Sequence, residues 1–244
     1  MKPSGYLRSW KISAVNEYFM RFIEEYRDID LIRKLSANIH SSAKGNYLFM
    51  EVCGGHTAAI HRFGIPSILP SNVRLISGPG CPVCVTGTGF IDSVIVYSGM
   101  KNVIIATFGD LIRVPGSYSS LEKERPAGAD IRIVFSPLEA LNIARSNPSK
   151  TVIFPSIGFE TTAPGSAVTV IQAEKEKVNN FLVLSGHKTM PAVMETVVNE
   201  GVLIDGFLCP GHVAAVAGSR IFEFLPRMYN MGCAVSGFEP VDIL

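Results

Sequence analysis

Eight short runs of this chain are apolar almost from end to end: residues 46–52, 73–77, 102–108, 130–135, 151–156, 180–185, 203–209 and 232–236. A strand with one wet face alternates apolar and polar residues. A strand apolar on both faces belongs in a parallel sheet covered on both sides. Stretches of helical length, such as 136–146, 165–177 and 190–199, separate the runs. Strand and helix in alternation define an α/β class with right-handed crossovers. The expected architecture is two similar Rossmann-like parallel-sheet domains facing across a cleft, preceded by an N-terminal helical segment.

The runs fall into two consecutive sets of four, and Asn147-Pro148-Ser149 makes the boundary. The expected domains are 1–45, 46–148 and 149–244. In the first, Ile12, Val15, Tyr18, Phe19, Phe22, Ile23 and Tyr26 recur at helical spacing, and a second pattern follows at Ile29, Ile32, Leu35 and Ile39. The two later sets also echo each other. The strands at 46–52 and 151–156 each run into a Gly-containing polar motif, as do those at 73–77 and 203–209, which suggests a duplicated unit.

Charge excludes several classes. The balance of 22 Lys+Arg against 21 Asp+Glu, with no block of one sign, gives no electrostatic footprint for nucleic acid or a membrane surface. The start, Met1-Lys2-Pro3-Ser4-Gly5, lacks a signal-peptide core, and runs such as Val103 to Phe108 are too short to span a bilayer. A cytoplasmic protein is expected. Five cysteines in a reducing compartment then point to metal or redox chemistry rather than a disulfide framework.

In an open parallel sheet, ligands bind beyond the carboxyl ends of the strands. Every unusual motif here follows a strand. Met50-Glu51-Val52-Cys53-Gly54-Gly55-His56-Thr57 places a cysteine where a helix begins, with Thr57 able to open that helix. Helix N–H groups stabilise a thiolate, the form that binds borderline metals. The plain alternative is a small buried cysteine beside a turn with a capping histidine. Gly78-Pro79-Gly80-Cys81-Pro82-Val83-Cys84-Val85 carries a C-x-x-C pair, suited to a reversible disulfide or to two ligands of one metal. A structural zinc site would need a second such pair, and the chain has none.

After the third strand, Asp110 and Arg113 can pair with each other or serve the site. Gly158-Phe159-Glu160-Thr161-Thr162 puts a carboxylate and two hydroxyls at a helix start, where Glu160 either caps that helix or accepts a proton. His212 is a candidate within Cys209-Pro210-Gly211-His212. His187 and His61 read as structural, His40 as surface and Cys233 as strand core. The dinucleotide, P-loop and serine-hydrolase signatures are missing from the sequence.

Six motifs, in this order, closely resemble the HypD family of hydrogenase maturation proteins. They are Met50 to Thr57, Gly78 to Thr86, Gly109-Asp110 with Arg113-Val114-Pro115-Gly116, Gly158 to Thr162, Pro210-Gly211-His212-Val213, and Gly237-Phe238-Glu239-Pro240. The likeness runs from about residue 46 to the last residue. It implies a scaffold for assembling the Fe(CN)2CO moiety of [NiFe]-hydrogenase rather than a conventional turnover enzyme. It also implies a complex with the chaperone HypC, cyanide received from HypE with HypF upstream, and delivery to the hydrogenase large subunit. Carried over by motif, Cys53 is the iron ligand with His56 close by, and Cys81 and Cys84 are the redox pair.

The same resemblance offers His56, Asp110, Arg113, Glu160 and His212 as catalytic groups, and Gly54, Gly55, Thr57, Thr161 and Thr162 as groups around the bound moiety. Ala58 stands where many members carry a second histidine. Full-length members continue into a region that holds a [4Fe–4S] cluster. A chain ending at Leu244 is expected to be truncated before those ligands, able to bind iron but stalling after one reduction. Two other classes fit the residues: a thiol–disulfide oxidoreductase using Cys81 and Cys84, and a metal-free partner-docking module.

Overall fold

The computed structural model describes residues 23–244. All eight apolar runs form strands: β1 (Tyr47–Glu51), β2 (Val73–Ser77), β3 (Val103–Thr107), β4 (Asp130–Ile133), β5 (Thr151–Ser156), β6 (Phe181–Ser185), β7 (Gly206–Pro210) and β8 (Gly232–Ser236). They pair in parallel throughout, in two four-stranded sheets ordered β2-β1-β7-β8 and β4-β3-β5-β6. The α/β class and the pair of parallel sheets agree with the sequence expectation.

The sheets do not divide at residue 148. That point falls between β4 and β5, inside one sheet, while β1 and β2 are completed by β7 and β8. The reason lies in where the helices dock. After β2, residues 78–87 lead to α3 (Thr88–Ser98), whose Ile91 and Val94 pack against Ile105, Ile131 and Ile153 of the other sheet. Pro79 and Pro82 keep this connection from becoming a crossover helix of its own. Residues 186–189 then lead to α7 (Met190–Asn199), whose Met190 and Met194 return to the core of Met50, Val52 and Phe207. The expected echo of β2 with β7 is also corrected, because β2 is an edge strand and β7 a central one.

Burial explains the uniform runs. In the β4-β3-β5-β6 sheet, Ile104, Ala106, Val152 and Phe154 meet α5 (Pro137–Ser146) and α6 (Ala163–Lys175) through Ala140, Leu141, Ala144 and Ala173. The alternate residues Ile105 and Ile153 face α3. Edge strands are less covered, so Cys233 on β8 is half-buried rather than core, while Cys209 on β7 is fully buried.

At the N-terminal side, α1 (Ile29–Ser42) starts where the Asp28 side chain accepts the N–H of Leu31 at 2.8 Å. Glu25–Arg27 form a single 3-10 turn instead of the end of a longer helix, because Asp28 is extended. The expected apolar positions from Ile12 to Phe22 lie outside the described residues. Among the described residues, no helix is long and apolar enough to cross a membrane.

Each sheet reverses its strand order once, between β1 and β7 in one and between β3 and β5 in the other. Such reversals open a crevice at the carboxyl ends of the strands. All six motifs follow one of those four strands directly or lie at the end of an adjoining strand, β2 or β8.

Candidate functional site

Cys53 is the N-cap of α2 (Gly54–Arg62), directly beyond β1. Its backbone is extended, with φ −151° and ψ 126°, and its C=O accepts the N–H of Thr57 at 3.1 Å. The helix thus opens at Cys53, and Thr57 sits within it rather than at its start. Glu51, 1% exposed, holds this turn together. Its Oε2 accepts the Cys53 N–H at 2.9 Å, and its Oε1 accepts the Thr57 hydroxyl. One buried carboxylate therefore takes two donors of the turn, and the Cys53 N–H would otherwise be orphaned.

His56 is fully buried one turn along. Its Nε2 lies 2.8 Å from the Gly237 carbonyl, which can only accept, so Nε2 carries the proton. Nδ1 is then a lone-pair acceptor, buried and without a partner. Burial pushes the imidazole pKa down, against the opposing pull of the Gly237 bond and Glu51, so the ring is held neutral. Phe238 stands between two imidazoles, 4.7 Å from the ring of His56 and 5.3 Å from that of His212. His212 is exposed on the first turn of α8 (Gly211–Ala217), and burial, then nearby His56, lowers its pKa.

The C-x-x-C segment leaves the same place. Gly78 donates its N–H to the carbonyl of Glu51 at 2.7 Å. Gly80 lies against the Cys53 backbone, where a Cβ would fall 2.5 Å from its N and Cα. Cys81 and Cys84 follow, both exposed and both free thiols. Neighbouring Cys81 raises the Cys84 pKa, first by accepting a hydrogen bond from the Cys84 thiol and then through its charge. Pro82 and Val83 meet Thr107, Phe108, Asp110, Leu111, Pro155 and Ile157 around a small cavity at the ends of β3 and β5. The loop that starts on Cys53 in one sheet therefore roofs the strand-order reversal of the other.

Other candidates are placed differently from the sequence expectation. Arg113 pairs with Glu122 at 3.5 Å, both exposed, and not with Asp110. Glu160 does not cap its own helix. Its Oε1 accepts the N–H of Met190 at 2.8 Å, capping α7, and its Oε2 is buried without a partner. Thr161 is exposed, and Thr162 fills the space beside Gly158 without a side-chain cap to α6. Gly54 faces open space, whereas Gly55 lies against Phe238. His187, read as structural, sits 3.4 Å from Ser156 Oγ and 3.3 Å from Ser185 Oγ.

Cys53, His56 and His212 are thus gathered around Phe238, with Cys81 and Cys84 on the adjoining loop. Glu51 and Phe238 were quoted within motifs but given no role. A charge in an otherwise apolar strand was the signal for Glu51, and Phe238 had none. Among the described residues, no three His, Cys, Asp or Glu side chains gather closely enough to hold a metal ion.

A family model described as the hydrogenase formation hypA family, designated HypD, matches residues 30–244. The chain is 45% identical over 234 residues to the hydrogenase maturation factor HypD of Azotobacter vinelandii, covering 92% of this chain and 62% of that protein. It is 42% identical to the HypD of Escherichia coli K12 over 92% of this chain and 62% of the relative. A putative hydrogenase expression/formation protein of Methanocaldococcus jannaschii is 43% identical over 88% of this chain and 59% of its own length. The chain spans about three fifths of the length of these relatives.

Proposed function

The chain belongs to the HypD family of hydrogenase formation proteins, and from that premise we propose that it is the scaffold on which the Fe(CN)2CO moiety of [NiFe]-hydrogenase is assembled. Iron is the cargo. Cys53 supplies one thiolate, the chaperone HypC completes the anchorage, and the finished group passes to the hydrogenase large subunit in the cytoplasm. The observation that carries this reading is the contact of Gly80 with the Cys53 backbone, which joins the thiol anchor to the C-x-x-C loop.

Each part of the site has a task in this chemistry. Glu51 and the first turn of α2 fix the direction of the Cys53 sulfur. A single protein thiolate leaves coordination positions open for cyanide and carbon monoxide. Neutral His56 presents an unpartnered Nδ1 that can accept a hydrogen bond. Cyanide arrives from HypE, with HypF upstream, as a thiocyanate. Cleaving its S–C bond to thiolate and cyanide takes two electrons. The Cys81/Cys84 dithiol supplies them, becomes a disulfide and releases two protons, and an external donor must then restore it.

The family's [4Fe–4S] cluster does not fit the described residues. Among the described residues, no three ligand-type side chains converge. No step is assigned to a cluster. Exposed, hydrogen-bonded Cys81 and Cys84 also favour a second reading, a thiol–disulfide oxidoreductase in which Cys53 is dispensable. Iron content after anaerobic purification, with and without HypC, separates the two. Iron retained only in the complex supports the scaffold. An iron-free complex with a cycling disulfide supports the oxidoreductase.

A further inference from the structure

Cys53 is only 9% exposed, although it is the anchor of the site. Phe238 lies on the same side of Gly55 as the Cys53 sulfur. A Cβ placed on Gly55 would lie 2.8 Å from Cε1 of Phe238 and 3.4 Å from Sγ of Cys53. Ring and sulfur therefore flank the same point beside Gly55, and a residue larger than glycine at position 55 would have to displace the ring.

The ring is also held in place on both sides. Before it, the Gly237 carbonyl accepts the Nε2–H of His56 at 2.8 Å, and the Ser236 hydroxyl donates to the Asp242 carbonyl at 2.8 Å. After it, Glu239 receives Arg27 through two bonds, Nε to Oε2 at 2.5 Å and Nη2 to Oε1 at 2.7 Å. Glu239 also shares a capping box with Asp242 at the start of α10 (Pro240–Ile243). His56 and His212 flank the ring itself. Cys81 and Cys84, by contrast, stand exposed.

We propose that Phe238 controls access to Cys53: its anchored ring walls the sulfur so that compact ligands reach it and bulky ones do not. A fixed aromatic wall selects by size, because a well-packed ring yields little. Compact, linear ligands are admitted, and larger thiol-reactive molecules are kept from the sulfur that the exposed pair freely meets. This inference rests on the reading of Cys53 as the reactive sulfur. Its test follows entry to that sulfur in the iron-free chain, so it fails separately from iron binding.

The test compares a small reagent, methyl methanethiosulfonate, with a bulky one, N-ethylmaleimide, each cysteine being followed by mass spectrometry. Cys81 and Cys84 should react with both. Fully buried Cys209 reports on the integrity of the fold. In Phe238→Ala, the maleimide rate at Cys53 should rise roughly ten-fold while Cys209 stays protected, because access governs thiol reactivity once the thiolate is available. The small reagent should change far less, and Phe238→Tyr should restore the original ratio. An unchanged maleimide rate, or equal gains for both reagents, overturns the proposal. Should the alanine variant expose Cys209, Phe238→Leu is read by the same criterion.

Discussion

The carboxylate of Glu51 accepts the backbone N–H of Cys53 at 2.9 Å while its other oxygen takes the hydroxyl of Thr57. No ion pair involves Glu51 among the described residues, so these bonds stand in for a counter-ion. Glu51→Ala would orphan the buried Cys53 N–H, at about 1–3 kcal/mol, and leave the Thr57 hydroxyl only its longer bond to the Cys53 carbonyl at 3.4 Å. Denaturant unfolding should show that loss, and Glu51→Gln, which keeps one acceptor, should lose less. Equal stability of all three proteins would contradict the role given to Glu51.

Gly80 is the point where the C-x-x-C loop rests on the Cys53 backbone. In Gly80→Ala the new Cβ meets backbone atoms, Cys53 N and Cα at 2.5 Å and the Val52 carbonyl carbon at 2.7 Å, and these cannot swing aside. Overpacking of this kind costs about 1–3 kcal/mol. Thermal unfolding should register that cost. Cyanide transfer should fall further than iron content, because the loop is displaced while the Cys53 sulfur remains. A variant as stable and active as the parent would remove the contact from the account.

Much of this arrangement was legible in the sequence. Strands buried on both faces leave uniformly apolar runs, so all eight could be read directly, with β2, β5 and β8 matching at both ends. Their division between sheets could not. It depends on α3 and α7 docking on the sheet opposite the strand that precedes them, and nothing local encodes that choice. The site shows the same split. Cys53, His56, Cys81 and Cys84 were visible because glycines and strand ends mark them. The bond from His56 to Gly237 spans 181 residues and leaves no local trace. Closeness in sequence misled for Asp110 and Arg113, since a 3-10 turn (Leu111–Arg113) turns the guanidinium toward Glu122.

Cys81 and Cys84 make a pH-dependent prediction. Cys81 beside Cys84 raises the Cys84 pKa, chiefly through their hydrogen bond, so less of Cys84 is thiolate at a given pH than for an ordinary cysteine. Its alkylation should therefore climb at higher pH than that of a free thiol. Cys81→Ala removes both the bond and the charge and should move the Cys84 curve to lower pH. Mild oxidant should join Cys81 to Cys84 and leave Cys53 free, with dithiothreitol reversing the link. A Cys53–Cys81 disulfide as the main product would reassign the pair.

The central claim is that the Cys53 sulfur holds the iron on which the cyanide and carbonyl ligands are built. Its most direct test is the Cys53→Ala chain purified anaerobically with HypC, with iron content and the cyanide and carbonyl infrared bands measured on the same sample. The expected result is a folded complex that retains no iron and shows no such bands. Iron retained at the parental level, with both sets of bands present, would contradict the account.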